Sequence, residues 1–159
     1  MAKGKKLVIV SNRLPVNVKR VKGKLEFHQS TGGLATGMSS VSKNADSVWI
    51  GWPGISSDEI SSKEKTQIIN ELKKYKCYPV FLTQKMIDEF YSGYCNATIW
   101  PLFHYFTSHT QYDNKYWESY RDVNKVYLNA LKSFLGSDVK VWVHDYHLML
   151  LPRMIRALR

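Results

Sequence analysis

Val139 to Leu151 reads Val-Lys-Val-Trp-Val-His-Asp-Tyr-His-Leu-Met-Leu-Leu, and this stretch decides the fold. Its first five residues form an apolar, β-branched run that suits a strand. An apolar helical start with Pro152 in its first turns follows. Between the two stand His144, Asp145, Tyr146 and His147. A strand feeding a helix in this way is a unit of a parallel sheet, and ligands of open α/β sheets bind in the crevice beyond the carboxyl ends of the strands. The stretch therefore aims one carboxylate, Asp145, and two imidazoles at such a crevice. The plainer reading of Asp145 is a helix cap, its oxygen accepting from amides that the first turn leaves unpaired.

Three further apolar runs have strand character: Lys6 to Ser11, Val48 to Gly51 and Cys77 to Thr83. Val16 to Phe27 alternates weakly around Lys22-Gly23-Lys24, which predicts a β-hairpin or loop. Ser61 or Ser62, with Glu64 and Lys65 behind it, opens a helix that runs to about Lys74. Gln84 to Tyr94 has Met86, Ile87, Phe90 and Tyr91 on one helical stripe, and Asn96 to Tyr105 is aromatic-rich and broken by Pro101. Trp117 to Phe134 carries the longest helical pattern, and a last helix is expected from about Leu148 to Leu158. Strands alternating with helices imply right-handed crossovers. The prediction is a doubly wound α/β domain with a mainly parallel, Rossmann-like sheet.

A chain of 159 residues, 44% hydrophobic and 23% charged, fits one globular domain with a real core. Leu7 to Val10 is too short for the core of a signal peptide, and no apolar run nears the roughly 20 residues of a membrane span. The expectation is a cytoplasmic protein without a membrane partner. Cys77 and Cys95 stand alone, with no spacing that suggests a disulfide framework or a zinc site. The formal charge of +10 fits nucleic acid, an anionic small molecule, or a piece cut from a balanced protein. The lysines and arginines cluster in the tail, in loops and at helix ends without any nucleic-acid-binding signature, so no nucleic acid is read as a partner.

The other strand ends add candidates. Arg13 stands two residues past the first strand, where a guanidinium fork suits a phosphate; a surface salt bridge is the plainer alternative. Gly32 and Gly33 open a helix after a serine and a threonine, a setting that lets backbone amides approach an anion but that also makes an ordinary turn. Trp52 follows the second strand and either lies against a sugar or packs in the core. Tyr91 and Trp100, in the aromatic segment, divide between the same two roles.

Taken together, these segments resemble one family. They are Ser11-Asn12-Arg13-Leu14-Pro15-Val16, Gly32-Gly33-Leu34, Trp49-Ile50-Gly51-Trp52-Pro53-Gly54, the run from Asp88 to Tyr91 through Asn96 to Tyr105, and Trp142-Val143-His144-Asp145-Tyr146-His147-Leu148. In order and spacing they are similar to the amino-terminal domain of the trehalose-6-phosphate synthases, across essentially all 159 residues. That resemblance implies the first half of a GT-B glycosyltransferase. Such an enzyme transfers glucose from UDP-glucose to glucose 6-phosphate with retention and without a required metal or other cofactor. It also implies that Arg13 grips the acceptor phosphate, that Tyr91 and Trp100 line the acceptor site with Tyr91 bonding the same phosphate, and that Trp52 walls the pocket. Asp145 would bond acceptor hydroxyls and orient the attacking one, as the catalytic residue. Gly32 and Gly33 would set amides near the donor diphosphate.

The run stops at Arg159, where another strand is expected to return to the sheet. The sequence thus reads as an amino-terminal, acceptor-side domain whose nucleotide-binding partner domain lies outside it, the isolated piece being expected to be inactive. A non-catalytic phosphosugar-binding or regulatory module is the rival reading. Oligomeric state, a homo-oligomer included, stays open.

Overall fold

A computed structural model describes residues 6–30 and 46–158. Four parallel strands make the central sheet: β1 (Lys6–Arg13), β4 (Ser47–Trp52), β5 (Cys77–Pro79) and β6 (Val139–Val143), in the order β5-β4-β1-β6. β2 (Val16–Val21) and β3 (Lys24–Gln29) form a separate antiparallel hairpin. Lys22 and Gly23, both at positive φ (48° and 78°), make its two-residue turn. The strand at Cys77 is shorter than its apolar run, because Pro79 brings no N–H to the ladder.

Val8, Ile9 and Val10 are fully buried, as a central parallel strand requires. Alternate side chains feed two cores. Val8, Val10 and Ile50 join one cluster, whereas Ile9, Trp49, Ile68 and Leu72 join the other, with the hairpin's Val16 and Val18.

Helix α1 (Ser62–Lys73) covers the second core and opens on a reciprocal capping box. Ser61 accepts from the Glu64 amide, and the Glu64 carboxylate accepts from the Ser61 amide. Helix α2 is continuous from Gln84 to Phe103 and contains an α-turn (Gln84–Met86), a wide stretch (Ile87–Ile99) and a final α-turn (Trp100–Phe103). In the wide stretch the bonds run i→i+5, as from the Trp100 amide to the Cys95 carbonyl. Helix α3 (Asn114–Leu131) packs on α2, and α4 (Leu151–Arg156) closes the described chain.

Pro101 does not break α2, contrary to the sequence expectation. The Ala97 carbonyl, four residues before the proline, takes a hydrogen bond from the Gln111 amide at 2.8 Å. The Thr98 hydroxyl donates to the Gln111 carbonyl at 2.5 Å, so one backbone unit clasps the wide turns. Gly93 completes the arrangement: a Cβ there would lie 2.6 Å from the Tyr116 ring.

Counted along the chain, the parallel strands stand in the order third, second, first, fourth. The direction of winding reverses between β1 and β6. The crevice of an open α/β sheet forms at that reversal.

Candidate functional site

β1 and β6 end side by side at the reversal, with the His144 amide donating to the Val10 carbonyl at 2.8 Å. Beyond them lies an open cavity of about 220 Å³, lined by Ser11, Asn12, Arg13, Ser30, Trp49, Tyr91, Asp145 and His147 among others. Arg13 reaches this place through a bulge: the pairing of β1 with β4 slips by one residue between Val10 and Arg13. The bent chain crosses close over Gly51, where a Cβ would stand 2.9 Å from the Ser11 carbonyl and 3.0 Å from the Leu14 amide nitrogen. The Ser11 hydroxyl donates to the Arg13 carbonyl and accepts from the Trp49 indole, each at 2.7 Å.

The Arg13 guanidinium lies over two aromatic faces, 4.5 Å from the Trp52 centroid and 5.6 Å from that of Tyr91. These contacts leave its hydrogen-bonding edge uncommitted among the bonds described. Trp52 itself is 5% exposed, donates its indole N–H to the Ile55 carbonyl at 2.9 Å, and does not line the cavity. It supports Arg13 from within the core.

Asp145 is exposed, with φ 70° and ψ 168°, a region populated almost only by glycine. One oxygen accepts from the Tyr146 amide at 2.8 Å, the local cap expected of it; the other stands 3.7 Å from His147 Nδ1. Holding a carboxylate in this conformation works against the backbone's own preference, and such strain gathers at functional sites.

His147 is buried and sandwiched between Tyr146 (4.3 Å, 20° between planes) and Tyr91 (5.7 Å, 16°). Burial lowers its pKa, Arg13 lowers it further, and the Asp145 carboxylate works in the opposite direction. The imidazole is thus held neutral near pH 7. Its Nδ1, like Asn12 Oδ1, is buried without a hydrogen-bond partner, and both residues line the cavity. Burial and the Asp145 charge push the Tyr146 hydroxyl up to about 12, so it stays a neutral donor.

Arg13, Tyr91 and Asp145 therefore meet at one cavity, as the sequence suggested. Trp100 does not line it; its ring is 41% exposed and stacks on His104 at 4.2 Å and on Phe106 at 6.2 Å. Gly32 and Gly33 lie outside the described residues. Sequence reasoning aimed His147 at the crevice without giving it a role, and it did not single out Asn12 or Trp49, although both lie inside segments that it quoted. Among the described residues no three of His, Cys, Asp and Glu gather as a metal-binding set, and no helix is long and apolar enough to cross a membrane. Cys77 and Cys95 are buried free thiols, with that of Cys77 pushed up to about 12 by burial alone.

A Rossmann-like sheet with a cation and a carboxylate facing one crevice at its winding reversal is a half-site suited to an anionic, hydroxylated ligand. The chain belongs to glycosyltransferase family 20, whose profile matches residues 5–159. It is 42% identical over 153 residues to the α,α-trehalose-phosphate synthase (UDP-forming) of Emericella nidulans, covering 95% of this chain and 30% of that protein. To the corresponding protein of Candida albicans it is 41% identical, covering 95% and 31%. Among solved structures, the UDP-forming synthase of Burkholderia xenovorans superposes with a TM-score of 0.70 at 30% identity, covering 99% of this chain and 30% of that one. The same organism's enzyme in complex with glucose-6-phosphate gives 0.69 at 30% identity, covering 96% and 31%. An E. coli structure bound with UDP-2-fluoro glucose gives 0.72 at 27% identity, covering 96% and 30%. The architecture is that of the amino-terminal portion of these GT-B enzymes. The chain spans about 30% of the length of the relatives it matches.

Proposed function

We propose that residues 1–159 form the acceptor-side domain of a retaining glucosyltransferase that makes trehalose 6-phosphate from UDP-glucose and glucose 6-phosphate in the cytoplasm. The observation that carries this reading is the meeting of Arg13, Tyr91 and Asp145 at a single cavity at the winding reversal. Arg13, braced by Trp52 and Tyr91, offers its fork to the acceptor phosphate. Asp145 bonds the sugar hydroxyls and orients the one that attacks the donor. Trp100, exposed at the end of α2 and outside this cavity, lines the acceptor site further along the cleft. Gly32 and Gly33 direct amides to the diphosphate, where charge grows as UDP leaves. A second, nucleotide-binding domain supplies the uridine site and the remaining diphosphate contacts.

On this reading, catalysis needs both walls, because two sugars must be held in attack geometry while water is excluded. The 159 residues are incubated with UDP-glucose and glucose 6-phosphate, and UDP release is followed beside that of a two-domain protein carrying them. The longer protein turns over and the domain alone does not. Comparable rates for the two would mean that the donor site lies on this domain.

A further inference from the structure

Helix α3 passes beneath both strand ends, and three buried polar side chains on one of its stripes hold them. Tyr120, Asn124 and Tyr127 are spaced i, i+4 and i+7, so they face the same way. The Tyr127 hydroxyl donates to the Asn12 carbonyl at 2.6 Å, at the residue before Arg13. The Tyr120 hydroxyl donates to the Tyr146 carbonyl at 2.7 Å and accepts from the Met149 amide at 3.0 Å. Asn124 Nδ2 donates to the Tyr120 carbonyl at 2.8 Å and to the His147 carbonyl at 3.3 Å. Both tyrosines are fully buried, and burial raises their pKa values, which keeps both hydroxyls protonated as donors.

The stripe solves a specific problem. Past its last ladder bond each strand end leaves regular pairing, and its carbonyls need donors that the sheet no longer supplies. Backbone that is bulged at Ser11–Asn12 and strained at Asp145 stays put only when its surroundings over-determine it. Phenylalanine at the two tyrosines and leucine at Asn124 would occupy much the same space, yet would leave those carbonyls without these donors.

We infer that α3 sets the spacing between the phosphate-gripping and hydroxyl-binding groups of the cavity, with Tyr127 a positioning residue for Arg13 and Tyr120, aided by Asn124, a positioning residue for Asp145. This rests on the acceptor-site reading above. Each tyrosine acts on one half of the ligand. Tyr127 governs the phosphate half and Tyr120 the sugar half.

Two probes separate the halves: inorganic phosphate, which meets only Arg13 and its neighbours, and glucose 6-phosphate, which meets both. Dissociation constants are measured by NMR titration for the protein and for Tyr127→Phe and Tyr120→Phe, with melting temperature as a check on folding. Tyr127→Phe weakens both probes by a similar factor, on the order of tenfold. Tyr120→Phe weakens glucose 6-phosphate by as much and leaves phosphate unchanged. Added to Arg13→Ala, Tyr127→Phe brings no further loss, because it acts through that arginine. If Tyr120→Phe does not fold, Asn124→Ala, which frees the His147 carbonyl, carries the same expectation. Equal losses for both probes in both variants, or full additivity with Arg13→Ala, overturn the inference while leaving the acceptor site standing. If the unaltered protein binds neither probe, or if Arg13→Ala leaves phosphate affinity intact, the acceptor-site reading falls and takes the inference with it.

Discussion

Replacing Asp145 by glycine should make the domain more stable and its ligand affinity worse. At φ 70° and ψ 168°, Asp145 occupies a conformation that costs a non-glycine residue about 1–3 kcal/mol. Glycine removes that strain but loses more backbone freedom on folding, about 0.5–1 kcal/mol, and gives up a few tenths as a cap. The net is a gain of about 1 kcal/mol. Alanine keeps the strain and loses the bond to the Tyr146 amide, a loss of about 1 kcal/mol. The two variants are thus separated by about 2 kcal/mol, or roughly 4–8 °C in melting temperature for a chain of this size. Asparagine, which keeps a capping oxygen, should melt near the unaltered protein. Thermal unfolding of all four forms, followed by circular dichroism, is paired with glucose 6-phosphate titration of each. Glycine, alanine and asparagine should all weaken binding. A glycine variant that melts at or below the alanine variant would refute the strain argument, and unchanged binding in all three would remove Asp145 from the site.

In an intact two-domain protein, Arg13→Ala should weaken glucose 6-phosphate by about 2–3 kcal/mol and UDP-glucose far less; equal losses in steady-state kinetics would contradict the phosphate assignment. Gly93→Ala should lower stability by about 1–3 kcal/mol, because its Cβ would meet the Tyr116 ring at 2.6 Å. A denaturant midpoint that does not move would show that α2 and α3 slide apart freely. Burial lowers the pKa of both His144 and His147, so each favours the neutral form in the folded state. Their contribution is present above the unfolded value of about 6.5 and is lost as pH falls below it. His147→Phe, which keeps the stacked ring and cannot titrate, should flatten the decline in melting temperature between about pH 7 and 5; an unaltered slope would exclude His147 as its source.

The parts of the fold that were legible in the sequence are those that local chemistry determines. β1 announces itself as an unbroken apolar run because both faces of the sheet are covered there, and β6 as valines alternating with Lys140 and Trp142 because only one of its faces is. Ser61 and Glu64 announce a helix start because the reciprocal cap needs those two side chains at that spacing. Lys22-Gly23 marks a turn because the second residue must take positive φ. What stayed hidden depends on partners distant in sequence. The wide winding of α2 rests on Gln111 and Tyr116. Likewise, Arg13 and Asp145 were readable as candidates, but not Trp52 as the brace beneath Arg13, since only the bulge over Gly51 brings that guanidinium across the indole.

The winding of α2 also fixes what spacing means along it. Tyr91 and Trp100 are nine residues apart, two and a half turns of an α-helix, which would place them on opposite faces. Wound i→i+5, the same nine residues make about two turns and return to one face. Insertion or deletion of a single residue between Tyr91 and Trp100 would therefore act as a rotation, carrying one aromatic ring around the helix while leaving the other where it is. Length in this segment sets which way each ring faces, and variants should be compared by the number of residues between the two rings before their identities are compared.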